Sequence, residues 1–391
     1  MTAEAAAPAT APAPPRAADG IRTVGVEEEL LLVHPEDGSP VAAARDVLRA
    51  AGRAGTRRLG AELQLQQVET ATAPVRSVEE LLAELVALRG AADAAARQVG
   101  TRAAALATSP LPVRPTLSTD PRYLAMRDRM GLTCAEQLTC GCHVHVAVTD
   151  DEEGVGVIDR IRTWLPLLIA LSASSPLWNG RDTSFASYRT QAWSRWPGTG
   201  PTEVFGSAAA YRTVVERMLA TGTLLDPGMV YFDARLSHRY PTIEIRVADV
   251  CLDVRDAALV AVLSRALVQT AADEWRAGLP APARPTVLLR LASWRASRVG
   301  LTDALTHPDD DRLVPAADAL GALVRHVAPA LEESGELAWV RGQVGRVLRD
   351  GTGAERQRAV LRTGGSVPDV VAAAVRATAA DPRVPDRCEE H

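Results

Sequence analysis

Lysine is missing from all 391 residues, so each of the 43 basic side chains is an arginine. That absence excludes a phosphate loop built on lysine, a Schiff-base lysine and a carbamylated-lysine metal bridge. Biased genome composition explains the replacement equally well and leaves the exclusions standing. Cysteine is scarce. Five in a chain of this length, an odd number, do not make a disulfide framework and point to a reducing compartment. An excess of positive charge is missing as well: 48 acidic residues give a formal charge of -5, and the arginines stand singly or in pairs such as Arg57-Arg58. Nucleic acid is therefore not an expected partner. The longest apolar run, Trp164 to Trp178, is broken by Pro166, serines and Pro176 and is too short to cross a bilayer. The opening MTAEAAAPATAPAPPRAADG lacks a charged stretch followed by an apolar one, and reads as an Ala/Pro arm rather than a secretory signal. The expected setting is the cytoplasm, away from membranes.

What is present suffices for a folded core, with 47% hydrophobic and 23% charged residues. Arg22 to Val33 alternates at period two and ends at the turn signal His34-Pro35-Glu36-Asp37-Gly38, which predicts a strand. Val41 to Ala51 predicts a helix stopped at Gly52, and Leu63 to Thr70 a second strand. Ser77 with Glu80 three residues on forms a capping box opening a helix to about Gln98. Thr101 to Ala107 and Cys142 to Val148 predict strands, and Val155 to Ala173 one apolar helix. Ser174 to Thr202 is too long and polar for an ordinary connection, the kind of loop that carries function. Ser207 to Leu219 reads as helix, Met229 to Leu236 and Thr242 to Val247 as strands, and Val254 to about Ala379 as almost all helix. The expectation is an α+β fold with a helical second half: an arm over 1–20, one catalytic unit over 21–380 and a flexible tail over 381–391.

Three strand motifs carry chemistry. In Gly25-Val26-Glu27-Glu28-Glu29, alternation places Glu27 and Glu29 on one face and Glu28 on the other, with Val26 and Leu30. Two carboxylates about 6 Å apart repel by about 2 to 3 kcal/mol at an effective dielectric near 20, which a divalent cation would offset. A solvated face or arginine pairing would offset it too. In Cys140-Gly141-Cys142-His143-Val144-His145, the two histidines share a face; they suit a metal or a phosphate, or else are core imidazoles bonded to backbone. The cysteines lack metal-knot spacing and are expected as small core residues. In Thr242-Ile243-Glu244-Ile245-Arg246-Val247, an acid and a guanidinium point the same way, as a metal carboxylate beside a phosphate fork would, or as a plain ion pair. Glu69 is a further acid on a strand, and Glu62 lies seven residues before it. Oxygen-rich sites with an imidazole or two select Mg²⁺ or Mn²⁺, and such ions with arginines cradle ATP without a P-loop.

In this order, GVEEEL, ELQLQQVETATAP, TCGCHVHV, SPLWNGRDTSFASYRTQAW and PTIEIRVADV resemble the type 2 glutamate-cysteine ligases, the YbdK-like carboxylate-amine ligases, over about residues 21 to 380. The resemblance implies a glutamine-synthetase-like catalytic fold, mainly antiparallel sheet with a concave active-site face, covered by helices. It implies ATP and Mg²⁺ or Mn²⁺ as cofactors, and L-glutamate with L-cysteine or another amine as substrates. Carried over by motif, Glu27, Glu29, Glu69, His143 and Glu244 are metal ligands, with His143 alternatively a phosphate contact. Glu69 and Arg246 are catalytic, and Arg246 and His145 contact nucleotide or phosphate. Glu62 matches only if a bulge or loop absorbs its spacing. The implied activity is acyl-phosphate ligation giving γ-glutamylcysteine, often weakly; self-association is left open.

In the long loop, Arg181, Asp182, Ser184, Ser187 and Arg189 offer groups for an amino acid substrate, with Trp178 and Trp193 as walls. Local pairing and packing explain each of them as well, and Asp249 is undecided. Two rival readings remain. A metal hydrolase built on the histidine pair would need further histidines, yet His34, His238, His307, His326 and His391 fall mostly in predicted loops or helices. A degenerate nucleotide-binding module would be expected to lose acids that are all present here.

Overall fold

A computed structural model describes residues 20–56 and 58–381. The arm up to residue 19, Arg57 and the tail from 382 onward lie outside the described residues.

The centre is a seven-stranded sheet: β1 (Val24–Val33), β2 (Leu59–Ala61), β3 (Gln67–Ala71), β4 (Arg102–Ala104), β5 (Gly141–Ala147), β8 (Ala234–Leu236) and β9 (Thr242–Asp249). Two ribbons stand outside it, β6 (Leu177–Trp178) with β7 (Arg181–Asp182), and β10 (Leu305–Thr306) with β11 (Leu313–Val314). The order across the sheet is β2-β3-β1-β5-β9-β8, with β4 beside the far end of β1, and every pairing is antiparallel. Ten residues of β1 thus serve three partners, which makes it the strand that orders the rest.

Alternation divides the sheet into two faces. Val24, Val26, Cys142, Val144, Val146, Ile243 and Ile245 form one apolar face, buried with Leu81 and Leu85 of the helix Val78–Arg97 and with the helix Val254–Arg276. Val78–Arg97 begins as predicted, with the Ser77 and Glu80 capping box closed in both directions. Glu28 lies on this apolar face, fully buried, and Arg89 reaches it with a forked ion pair at 2.8 and 2.5 Å. The same guanidinium donates to the carbonyls of Leu252 and Cys251. The middle glutamate of the GVEEEL run is therefore a structural anchor. A second apolar cluster joins Leu30 to Val33, Ala92, Leu106 and the helix Val367–Ala379. Cys134, Cys140, Cys142 and Cys251 are buried free thiols, as the core reading expects.

Several expected elements are corrected. Leu63 to Thr70 is not one strand: β3 begins at Gln67, and Gln64, Gln66 and Gln67 donate side-chain hydrogen bonds to the carbonyls of Cys134, Arg114 and Thr139, holding Glu62 to Gln66 as a loop. The apolar helix Val155 to Ala173 is two, Asp151–Ile161 and Leu165–Ser172, because Pro166 cannot supply the amide needed to continue the first. Ser174 to Thr202 contains the β6–β7 ribbon and the helix Tyr188–Trp193. Thr101 to Ala107 shrinks to β4, and Met229 to Leu236 to a 3-10 turn, Pro227–Met229, followed by β8. The helix Pro121–Met130, capped by Asp120, was not predicted. Beyond Val254 the described chain is helical apart from the β10–β11 ribbon. Among the described residues, no helix is long and apolar enough to cross a membrane.

Candidate active site

The second face of the sheet is polar and lines a cavity of about 720 Å³, a size suited to small substrates. Cross-strand register gathers its acids. Glu29 of β1 stands opposite Glu69 of β3, Glu27 opposite His143 of β5, and His145 opposite Glu244 of β9. Glu62 enters from the β2–β3 loop, its Oε2 accepting the Leu63 amide at 3.1 Å. The ligand atoms fall into two adjacent triads, Glu29 with Glu62 and Glu69, and Glu27 with His145 and Glu244; within each they lie within 4.8 Å of one another. A third set, Glu27 with Glu69 and His143, joins the two.

The two triads differ in charge balance. Burial works against an ionised Glu27, but His145 at 3.5 Å and His143 at 3.7 Å hold its carboxyl well below the usual range. Burial also opposes Glu244, which Arg246, His145 and Arg235 overcome. Arg235 grips Glu244 with two bonds, at 2.7 and 3.1 Å, and Arg246 donates to the same carboxylate. Among the described residues the other triad has no ion pair, and Arg246 only partly offsets its charge. Burial, then the charge of Glu29, pushes Glu62 up to about 8, and burial with Glu27 and Glu62 pushes Glu69 well above the carboxylate range. His145 is raised by Glu27 against burial, whereas burial and Arg246 lower His143. The buried Nε2 of His145 faces Glu27 at 3.5 Å but makes no hydrogen bond among the described residues. Carboxylates crowded until they hold protons, beside an orphaned imidazole nitrogen, form a donor set that fits hard divalent cations.

Next to the acid cluster stands an arginine corner. Arg189, on the helix Tyr188–Trp193, lies across Gly141, where a Cβ would overlap its guanidinium; only glycine allows this approach. Arg189 and Arg246 each sit 5.9 Å from the Trp193 ring centre, and Arg246 is equally close to Tyr231. The Gly141 amide donates to Glu29 at 2.6 Å, tying this corner to the acid cluster. Beyond His145 a smaller apolar slot of about 110 Å³ opens between Gly25, Pro74 and Tyr240.

Residues 23–377 match the family model described as glutamate-cysteine ligase family 2. The chain belongs to that family. A Streptomyces coelicolor protein provisionally named glutamate–cysteine ligase 2 is 53% identical over 362 residues, 92% of this chain and 100% of that protein. One of Paenarthrobacter aurescens, provisionally named glutamate–cysteine ligase 2-1, is 50% identical, covering 92% and 95%. Among solved structures, the glutamate–cysteine ligase of Francisella tularensis in complex with AMP superposes with a TM-score of 0.67 at 14% identity, over 92% of this chain and 89% of that one. The fold is thus the α+β ligase fold, with its antiparallel sheet backed by helices.

Of the residues singled out in the sequence, Glu27, Glu29, Glu62, Glu69, His143, His145, Arg189, Glu244 and Arg246 all line the one cavity, with Trp193. Trp178, Arg181, Asp182 and Ser187 do not. The β6–β7 ribbon carries the first three away from the sheet: Arg181 is exposed, Trp178 stacks at a tilt on Tyr188, and Asp182 is held by Arg358 at 2.6 Å. Ser187 is committed to capping Tyr188–Trp193 and to Asp249. Ser184 takes a left-handed turn conformation (φ 62°), its amide bonded to Asp182. Sequence reasoning missed Arg235, Tyr231 and the Arg122–Asp226 pair at 2.6 Å, all in the cavity wall. Arg235 had a signal: it sits in a predicted strand and faces the way Glu244 faces.

Proposed function

We propose that this chain is an ATP- and Mg²⁺-dependent carboxylate–amine ligase. It activates the γ-carboxyl of L-glutamate as an acyl phosphate and transfers it to an amine, L-cysteine first, giving γ-glutamylcysteine at a modest rate. The observation that carries the reading is the pair of adjacent acid triads on one sheet face, flanked by Arg246 and Arg235. Family membership and the AMP held by the Francisella enzyme support it.

Glu29, Glu62 and Glu69 would hold one cation, and Glu27, Glu244 and His145 a second, with His143 placed to serve either. Bound there, the ions would neutralise the charge gathering between the polyphosphate and the attacking carboxylate. The chain's own part is positioning. Arg246, fixed by Glu244 and the aromatic rings, presents a guanidinium to the transferred phosphoryl group. Arg189 holds the amino acid's α-carboxylate, with Trp193 and Tyr231 as walls. The apolar slot beside His145 takes the nucleobase. Glu69, ionised once a cation is bound, would take the proton the acceptor amine must lose. The catalytic unit spans 21–380 and works in a reducing cytoplasm.

The test is release of ADP and inorganic phosphate by the purified chain with ATP, glutamate and a panel of amines. Release that needs glutamate and an amine together supports the ligase. Phosphate release without an amine would indicate a hydrolase, and nucleotide binding without turnover a binding module.

A further inference from the structure

Asp249 ends β9 and is fully buried, and it does not line the cavity. Its hydrogen-bonding capacity is turned instead to the segment that carries Arg189. Oδ2 accepts from the Ser174 amide at 2.8 Å and from Ser175 Oγ at 2.7 Å, and Oδ1 accepts from Ser187 Oγ at 2.8 Å. Each contact continues toward Arg189. Ser175 Oγ accepts the Arg189 amide at 2.9 Å, and Ser187 Oγ caps the helix Tyr188–Trp193. At its far end the Arg189 side chain donates to the carbonyls of Arg246 at 3.3 Å and Val247 at 3.5 Å. The strand that carries Glu244 and Arg246 therefore holds Arg189 by both its backbone and its guanidinium.

A charged group is an expensive choice for tethering a loop, since neutral side chains accept hydrogen bonds at a smaller desolvation cost. Burial raises the Asp249 carboxyl, and Arg189 is the largest influence acting the other way. The carboxylate thus offers two things together: a geometric tie through two serines and an opposite charge near an arginine whose Nε makes no hydrogen bond among the described residues.

We propose that Asp249 is a positioning residue for the amino acid end of the cavity. Through Ser175 and Ser187 it sets the place of the Arg189 guanidinium, which holds the α-carboxylate of the glutamate substrate. The proposal rests on the ligase reading above and adds to it the source of substrate affinity.

The experiment compares Asp249→Asn, Ser175→Ala and Arg189→Gln in the full chain. Asparagine keeps the size and most hydrogen bonds but removes the charge. Arg189→Gln is expected to raise KM for glutamate by about 30-fold or more, and Asp249→Asn and Ser175→Ala by about tenfold, with kcat and KM for ATP within about twofold of wild type. A merely structural role would lower the melting temperature, lower kcat and raise both KM values together, and that result overturns the proposal. A glutamate KM unchanged in Asp249→Asn but raised in Arg189→Gln also overturns it, while leaving the ligase reading intact. An Arg189→Gln variant with unchanged glutamate KM removes Arg189 from substrate binding and sinks both assignments. A crystal structure of Asp249→Asn gives a readout independent of the substrate: the Arg189 guanidinium should leave the Arg246 and Val247 carbonyls, and a guanidinium still in place refutes the positioning role.

Discussion

The strongest consequence of the acid cluster is a coupling between pH, divalent cations and stability. Without a cation, Glu62 ionises at about 8 instead of its ordinary 4.5. The folded chain then keeps a proton that the unfolded chain has already lost, so stability falls as pH rises between those values. Converted at 1.36 kcal/mol per pH unit, the gap has an upper bound of about 5 kcal/mol; Glu62 is only half-buried at a wet wall, so roughly 2 kcal/mol is the working figure. For a chain of this size that is a melting-temperature loss of roughly 2 to 3 °C between about pH 5 and pH 8 in EDTA. Magnesium binds only the ionised carboxylates, so it should displace protons and stabilise more at pH 8 than at pH 5. Calorimetric melting with and without magnesium measures the difference, and titration in weak buffer near neutrality counts the released protons. Asp233, which burial pushes up to about 7, contributes a fall of the same sign, while His143 contributes the opposite. The comparison with Glu62→Gln isolates the residue. It should flatten the cation-free profile and reduce proton release. A wild-type melting temperature that is level or rising across the window, or equal stabilisation by magnesium at both pH values, would refute the reasoning.

Glu27→Gln is nearly isosteric and removes a charge shared by two histidines; turnover should fall by about a thousandfold or more while the melting curve barely moves, and an unaltered rate would remove Glu27 from the site. Arg246→Lys should lower kcat by about a hundredfold, because an ammonium cannot bond Glu244 and a phosphoryl oxygen in one plane; retained activity would leave Arg246 as a structural ion pair. Arg89→Leu strands the buried Glu28 carboxylate and should cost about 3 to 5 kcal/mol in urea unfolding, much of it regained when Glu28→Gln is added.

The strands were legible because alternation is a local property. Val24–Val33 and Thr242–Asp249 each place an aliphatic row on the helix side and an acid row on the cavity side, so the pattern declares both the strand and its faces. The elements that were misread depend on partners distant in sequence. Glu62 to Gln66 has strand-like composition, but three glutamine amides find carbonyls 48 to 72 residues away and hold it as a loop. In the other direction, Asp120 caps a helix whose sequence carries no clean apolar period, and Arg122 secures it to Asp226 across the cavity wall.

The same distinction separates the acids that were found from the loop residues that were misplaced. Glu27, Glu29, Glu69, His143 and Glu244 point into the cavity because strand parity and cross-strand register leave each of them one direction to take. In the long loop no such parity operates, and the nearest partner decides. Asp182 has Arg358 within reach, and Ser187 has Asp249, so both are drawn away from the cavity by charges 176 and 62 residues away. Arg189 escapes that fate for a reason the sequence does contain, the glycine between Cys140 and Cys142. Any side chain at Gly141 would occupy the volume of the guanidinium, so the motif that supplies the histidines also clears the path by which Arg189 reaches them. The proposed substrate end and the proposed cation end of the cavity are in that sense one feature of β5. A single methyl group, in Gly141→Ala, should therefore weaken glutamate binding without touching a carboxylate.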